Sequence, residues 1–207
     1  MSKKLPLLLI ICLMLSACAR PSESPGGAEA APGSAPASWT GDFFTDGNEM
    51  RYVCVAMFDD ETRTEVSVTV SSAGENMYSI DIEPTGFIPA ERLNLGIFYV
   101  SGDFIYKIDS GIASSITDAD DAAGRGTLVC GTELSEYTED GTYHGIIIDG
   151  DRCEYASRNT LVETGYYEIL AWRRGVGLIS YQSGFGAEGN SITLLMDSYF
   201  SDRLRRT

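Results

Sequence analysis

The chain has 207 residues, of which 43% are hydrophobic and 22% are charged, a composition typical of globular proteins. Asp and Glu number 30 against 15 Lys and Arg, which gives a formal net charge of −15. So acidic a surface disfavours binding to nucleic acid, whose phosphates require clustered Lys and Arg. A single histidine and the lack of paired Cys-x-x-Cys motifs exclude the usual structural zinc frameworks.

Residues 1–17 have the layout of a secretory signal peptide. Lys3 and Lys4 form a short basic start, and an apolar run follows from Leu5 to Leu15. A helix over this run covers about 16 Å, which is only half of the hydrocarbon core of a bilayer. We therefore predict an export signal here and not a membrane-spanning helix.

The apolar run ends in Leu15-Ser16-Ala17-Cys18, which resembles the lipobox of bacterial lipoproteins. In that family a diacylglyceryl group is attached to the cysteine, which becomes the first residue of the mature chain. The resemblance implies that Cys18 is the lipid attachment site, and two acyl chains suit stable anchoring to membrane lipid. The implied location is extracytoplasmic, on the cell membrane; an ordinary cleaved signal with an unrelated cysteine is the alternative.

The segment that follows, 18–38, is predicted to be a flexible linker. Ala, Pro, Ser and Gly dominate it, and its four prolines interrupt any helix. Without large apolar side chains it cannot bury enough surface to offset the entropy lost on ordering. The remaining residues, 39–207, have the size of one domain, which we expect to be extracytoplasmic.

Hydrophobic alternation with a period of two predicts that this domain is mainly β. Val66, Val68 and Val70 alternate with polar residues, and the same pattern recurs at 78–82, 104–108 and 192–196. Further strand candidates lie at 53–58, 93–100, 143–148, 166–171 and 176–181. The sequence therefore predicts a single antiparallel β domain of roughly ten strands, as a curved sheet, half-barrel or sandwich.

Turn and helix signals punctuate these strands. Gly102-Asp103 predicts a two-residue hairpin, and Asp140-Gly141 and Asp149-Gly150 predict further turns. One helix is predicted over 115–123, where Thr117 and Asp120 have the spacing of a capping box and Gly124 marks the end. Residues 89–93 are expected to form one helical turn.

The C-terminal part carries a second resemblance. Glu163-Thr164-Gly165-Tyr166-Tyr167 leads to Trp172-Arg173-Arg174-Gly175-Val176-Gly177-Leu178-Ile179. From about residue 141 onward the sequence resembles uncharacterised extracellular lipoproteins of Gram-positive bacteria. That resemblance implies adjacent antiparallel strands of a curved sheet and brings no catalytic residues with it.

Three cysteines follow the lipobox, at Cys54, Cys130 and Cys153, so at most one disulfide can form among them. Cys130 and Cys153 are candidate cross-strand neighbours, whereas Cys54 lies in an apolar strand and is interpreted as a buried thiol. A site of these three cysteines with His144 has no ligand pair at metal-site spacing, and no metal or cofactor is predicted.

Motifs for catalysis are weak. His144 is the only histidine, no G-x-S-x-G nucleophile motif is present, and the spacing of Glu136 and Glu139 does not establish a glycosidase pair. Three acidic turns are interpreted as solvated, with Ca²⁺ as the alternative at each. They contain Asp59-Asp60-Glu61, then Asp118, Asp120 and Asp121, then Asp149 and Asp151. We expect that the protein is not an enzyme.

Aromatic side chains are concentrated on the predicted strands. Five of them are candidates for the lining of an apolar cavity, with a packed core as the alternative: Phe98, Tyr106, Tyr166, Trp172 and Tyr181. The leading hypothesis is a non-enzymatic binding module of the cell envelope with an unknown protein partner. The alternatives are a carrier of a lipid or other hydrophobic ligand and a carboxylate-dependent hydrolase.

Overall fold

A computed structural model describes residues 37–56, 63–86, 88, 90–162, 165–186 and 191–196. It is mainly β, as predicted, and all of its strands belong to one antiparallel sheet. The strands are β1 (Asn48–Ala56), β2 (Arg63–Gly74), β3 (Met77–Ile82), β4 (Asn94–Ser101), β5 (Phe104–Ile108), β6 (Thr127–Cys130), β7 (Leu134–Tyr137), β8 (Thr142–Asp149), β9 (Arg152–Asn159), β10 (Tyr166–Arg173), β11 (Gly177–Phe185) and β12 (Ser191–Met196). Twelve strands thus replace the roughly ten that were expected.

The sheet is a meander whose two halves meet where β1 pairs with β12. The strand order runs from β6 down to β1, continues at β12 and then runs down to β7. Tyr52 lies opposite Met196, and Cys54 lies opposite Leu194 in this central pairing. Strands β6 and β7 are the edges, and the described residues form no ladder between them.

The sheet is strongly curved, because side chains from strands far apart in the order meet on one face. Lys107 of β5 forms an ion pair with Glu168 of β10, and β6 lies against β9. The rings of Phe98 on β4 and Trp172 on β10 are 6.0 Å apart. The face on which these residues meet is the concave face, and it encloses the main hydrophobic core.

Alternation along each strand fills this core. Val66, Val68 and Val70 of β2 are buried there, as the period of two predicts. The segment 39–43, which precedes β1, closes one end of the core. Its residues Trp39 and Phe43 are fully buried. The backbone of Gly175 donates to the carbonyl of Ser38 over 2.7 Å and holds this closing segment in place.

A smaller hydrophobic cluster lies on the opposite, convex face of β3, β4 and β5. Helix α1 (Ala119–Arg125) and the preceding segment cover Tyr99 and Ile108 there. The predicted helix, 115–123, starts four residues too early, and its predicted cap is wrong by one residue. Asp118, not Thr117, is the N-cap, and its carboxylate accepts from the backbone of Asp121 over 2.9 Å. Gly124 lies inside α1, so it does not end the helix.

The structure confirms most of the predicted turns. Ser101 pairs with Phe104 around the two-residue turn at Gly102-Asp103. At the next hairpin Asp149 pairs with Arg152, so the turn is Gly150-Asp151 and the predicted position is one residue early. The expected turn near residue 90 is a single 3₁₀ turn, Ala90–Arg92. No helix of the described residues is long and apolar enough to cross a membrane.

Candidate functional site

A groove of about 720 Å³ lies on the convex face of β8, β9 and β10. We call it the outer groove. Its larger lining side chains are Tyr143, Arg158, Leu161, Val162, Tyr167 and Ile169. Its size falls within the range of ordinary ligand sites, which is about 300–1,000 Å³.

Strand register builds the floor of the outer groove. Arg158 of β9 lies directly opposite Tyr143 of β8 and Tyr167 of β10, so the guanidinium is flanked by two tyrosines in one cross-strand row. Opposed residues on one face of a sheet have Cβ atoms about 5 Å apart. The floor is therefore rigid, since all three residues belong to hydrogen-bonded strands.

The wall of the outer groove is the loop that follows β9, and several hydrogen bonds hold it. The backbone and the hydroxyl of Thr160 donate to the carbonyl of Gly141 over 3.1 and 2.7 Å. Asn159 accepts from the backbone of Leu161 over 2.9 Å. The Leu161 side chain then lies over Gly141, where a Cβ atom would come within 2.4 Å of it. Glycine is thus required at position 141, because a larger residue would clash with the Leu161 side chain of the wall.

Among the residues that the structure describes, the outer groove is lined by one charged side chain, Arg158, and by no carboxylate. This local charge is opposite in sign to the net charge of the chain. Among the described residues Arg158 makes no ion pair, although Asp and Glu outnumber Lys and Arg two to one in the sequence. A cation beside apolar side chains fits a ligand that combines an anionic group with an apolar body.

Exposed apolar side chains surround the outer groove. Leu161 is 72% exposed, and Tyr137 of β7 and Ile147 of β8 are similarly exposed on the same convex face. The Tyr137 and Tyr143 rings lie 5.1 Å apart. On the other half of the convex face, α1 and the segment before it cover part of the surface, including Tyr99 and Ile108.

No protein-family model, curated protein or solved structure matches the chain. The lipobox resemblance at Cys18 and the resemblance of the C-terminal part to extracellular lipoproteins therefore stay predictions. Cys18 and the linker before residue 37 lie outside the described residues.

The predicted aromatic set is divided among three places. Phe98 and Trp172 are fully buried in the concave core, where Phe44 stacks on Trp172 with a 5.8 Å centroid distance. Tyr106 lies on the convex face against the smaller cluster. Tyr166 and Tyr181 are hydrogen-bonded neighbours at the end of the concave face farthest from Trp39. None of the five lines the outer groove.

The same end of the concave face holds a polar cluster. Glu168 is buried and paired with Lys107, and the hydroxyl of Tyr155 lies 2.8 Å from Nδ1 of His144. Burial, with a smaller effect of the Glu168 charge in the same direction, raises the pKa of Tyr155 to about 12. Burial also raises the pKa of Tyr181. These phenols stay protonated and act as hydrogen-bonding groups at neutral pH.

Acidic residues of the described turns contact neighbouring groups of the protein. In the turn of Asp149 and Asp151, Oδ2 of Asp151 lies 3.7 Å from Nε of Arg173. Asp121 accepts from the hydroxyl of Thr117 over 2.8 Å, and these hydrogen bonds lower the pKa of Asp121. Thr138 and the backbone of Thr142 both donate to Asp140. Among the described residues no three His, Cys, Asp or Glu side chains gather in a way that would hold a metal ion. Asp59-Asp60-Glu61 lies outside them.

The residues of the outer groove were missed by the sequence reading. Tyr143, Arg158 and Tyr167 are far apart in sequence, so only the strand register brings them together. One signal was available: Leu161-Val162 places two large apolar residues in a polar loop between two strands.

Proposed function

We propose that this protein is a non-enzymatic interaction module of the cell envelope, held at the outer face of the membrane by lipid on Cys18. Its outer groove binds a peptide segment of another envelope protein that carries apolar side chains beside a carboxylate. The observation that carries the proposal is Arg158, a cation without an ion pair in the described structure. It is set between Tyr143 and Tyr167, and none of the described residues that line the groove is a carboxylate.

The charge of Arg158 and the exposed apolar side chains beside it both favour such a peptide. A carboxylate can accept hydrogen bonds from Arg158, and charge-assisted bonds of this kind are about twice as strong as neutral ones. The exposed side chains of Leu161 and Val162 offer apolar contact beside that bond. Basic or highly anionic ligands fit less well, since the described lining holds a single positive charge and the chain as a whole is acidic.

The two alternative functions draw less support from the geometry. The carrier hypothesis places a ligand among the aromatic set, but Phe98 and Trp172 pack against each other there, and Phe43 packs on Trp172. The hydrolase hypothesis uses a pair of inward-facing carboxylates. Glu168 is the buried carboxylate of the described residues, and Lys107 already pairs with it.

The proposal is tested with a panel of short peptides and the full chain in detergent. The panel holds one apolar peptide with a central Asp, its Asn counterpart and its Lys counterpart. We expect the Asp peptide to bind most tightly, and Arg158→Gln to weaken it about tenfold, which corresponds to the loss of one charge-assisted hydrogen bond. Leu161→Ser should weaken the Asp and Asn peptides alike.

Arg51→Gln is the matched control, because Arg51 is an exposed arginine on β1 that pairs with Glu65 away from the groove. It should leave every affinity unchanged. Equal binding of the three peptides, or unchanged binding after Arg158→Gln, contradicts the proposal. Saturable binding of a fatty acid or phospholipid that survives Arg158→Gln would instead favour the carrier.

A further inference from the structure

Cys130 and Cys153 come from strands that are not neighbours in the sheet. Cys130 ends the edge strand β6, where it pairs with Ile105, and Cys153 lies near the start of β9 between Ile148 and Trp172. Both side chains point into the concave core and are fully buried. Curvature of the sheet, and not backbone pairing, brings the two strands together.

Cys130 and Cys153 are neighbours in the core, because β6 packs against β9 and both side chains belong to one buried cluster. Hydrogen bonding from Cys130 and from the backbone N–H of Gly131 lowers the pKa of Cys153, whereas burial raises the pKa of Cys130. The two thiols are therefore within reach of each other across β6 and β9.

We infer that Cys130 and Cys153 are a disulfide site, which covalently closes the curved sheet by joining β6 to β9, and that Cys54 stays a thiol. Cys54 lies on β1 between Thr64 and Leu194, with no cysteine opposite it. The odd number of cysteines after the lipobox is thus explained by one pair and one buried single thiol.

The step requires a disulfide donor as oxidant, such as a thiol–disulfide oxidoreductase or oxidised glutathione. One cysteine thiolate attacks the donor and releases one donor thiol; the second cysteine then attacks the mixed disulfide and releases the other. The chain loses two hydrogens, and the donor is reduced to two thiols. Because both sulfurs are buried, the donor must react before β6 and β9 close, and the finished bond is then shielded from reductants.

In the cell this bond depends on the proposed extracytoplasmic location, since disulfides persist in oxidising compartments. The bond closes a loop that contains β7 and β8, the strands that carry Tyr137, Tyr143 and Ile147. It would thereby fix the part of the sheet that borders the outer groove. Failure of the peptide test leaves this inference intact, because that test measures ligand affinity and the test below measures the bonding state of the cysteines.

The full chain is denatured, reduced and refolded in a mixture of reduced and oxidised glutathione, then digested with trypsin without reductant. Cleavage at Arg152 separates the two cysteines into peptides 126–152 and 153–158. We expect these peptides to be recovered joined, at a mass lower by two hydrogens than their sum. The peptide that contains Cys54, 52–63, should be recovered alkylated after denaturation. Recovery of both Cys130 and Cys153 as thiols, or of Cys54 in a disulfide, overturns the inference.

Stability gives a second readout. Reductant present during refolding should lower the urea midpoint of the wild type and leave that of the Cys130→Ala/Cys153→Ala variant unchanged. Cys54→Ala is the matched control, because its midpoint must still respond to reductant. A wild-type midpoint that does not respond overturns the inference. A further result is a disulfide that forms on refolding and yet is absent from protein isolated from cells. That result would contradict the proposed extracytoplasmic location, whereas the assignment of Cys130 and Cys153 as a disulfide site would stand.

Discussion

Gly177 shows how closely the end of the core is packed. Its φ of +99° is a conformation that side chains disfavour, and a Cβ atom there would lie 2.2 Å from the Cβ of Phe43. We predict that Gly177→Ala lowers the free energy of unfolding by about 3 kcal/mol, from backbone strain and overpacking together. Gly102→Ala is the control, because Gly102 also has a positive φ but no atom within 4 Å of its Cβ position.

Urea titration of both variants separates the two causes. Gly102→Ala should cost only the strain, about 1 kcal/mol. Equal losses at Gly102 and Gly177 would show that Phe43 moves away without cost, and that the closing segment is loosely packed.

Tyr155 makes stability depend on alkaline pH. Burial raises its pKa from 10.0 to about 12, so the fold favours the neutral phenol. The contribution is complete below pH 10 and is lost as the pH rises toward 12, because the unfolded chain ionises first. We predict that between pH 9 and 11 Tyr155→Phe loses less stability than the wild type, by about 1 kcal/mol. Urea unfolding at both pH values measures this.

The exposed Tyr137 supplies the comparison, since Tyr137→Phe should follow the wild type through the whole range. The loss of the hydrogen bond to His144 affects Tyr155→Phe at both pH values and cancels in the difference. Parallel losses in wild type and Tyr155→Phe would contradict the assigned pKa shift.

At the scale of elements, helix α1 depends on its cap. The carboxylate of Asp118 accepts from the backbone of Asp121 and satisfies one of the free N–H groups at the helix start. We predict that Asp118→Ala costs about 1 kcal/mol of unfolding free energy, as is usual for an N-cap. Asp120 is exposed and lies two residues later in the first turn, so Asp120→Ala should cost much less. A larger loss of stability for Asp120→Ala than for Asp118→Ala would contradict the assignment of the cap.

The strands predicted from sequence were those with a repeated alternation, and β2, β3, β5 and β12 all occur where they were expected. The edge strands β6 and β7 have four residues each, too few for alternation to be visible. The helix start was misplaced because Thr117 and Asp118 are both good capping residues, and only the backbone decides between them.

The candidate site was less predictable than the fold. Local alternation indicates which residues share a face, but not which strand lies beside which. The row of Tyr143, Arg158 and Tyr167 depends on three registers, and the contact of Cys130 with Cys153 depends on the curvature of the whole sheet. Lys107 was given no role, although the same curvature buries its ion pair with Glu168.

That ion pair tests the curvature at the scale of the molecule. Since it joins β5 to β10, it exists only while the two halves of the sheet face each other. We predict that Lys107→Met costs about 3 kcal/mol, because it leaves the buried Glu168 carboxylate without its partner. Glu168→Gln should cost less, because the Lys107 side chain that it leaves unpaired is 27% exposed. The double variant should cost less than the sum, by more than about 1 kcal/mol.

The exposed pair of Arg51 and Glu65 is the matched cycle, with expected coupling below about 0.5 kcal/mol. Urea unfolding of both sets of variants measures the two couplings. Similar values for the two pairs would mean that the Lys107–Glu168 contact is solvated and that it does not hold the halves together.

Anchoring at Cys18 decides whether the outer groove works at a membrane. Two acyl chains bind a bilayer stably, whereas one binds marginally, and the apolar run before Cys18 is too short to span it. We predict that cells fed labelled palmitate incorporate it into the wild type and the Cys12→Ser variant but not into Cys18→Ser. The two serine variants remove a cysteine from the same N-terminal stretch, so they differ in the predicted acylation site alone. Equal labelling of both, or an unlabelled wild type, would remove the membrane from the proposal and leave the groove to act in solution.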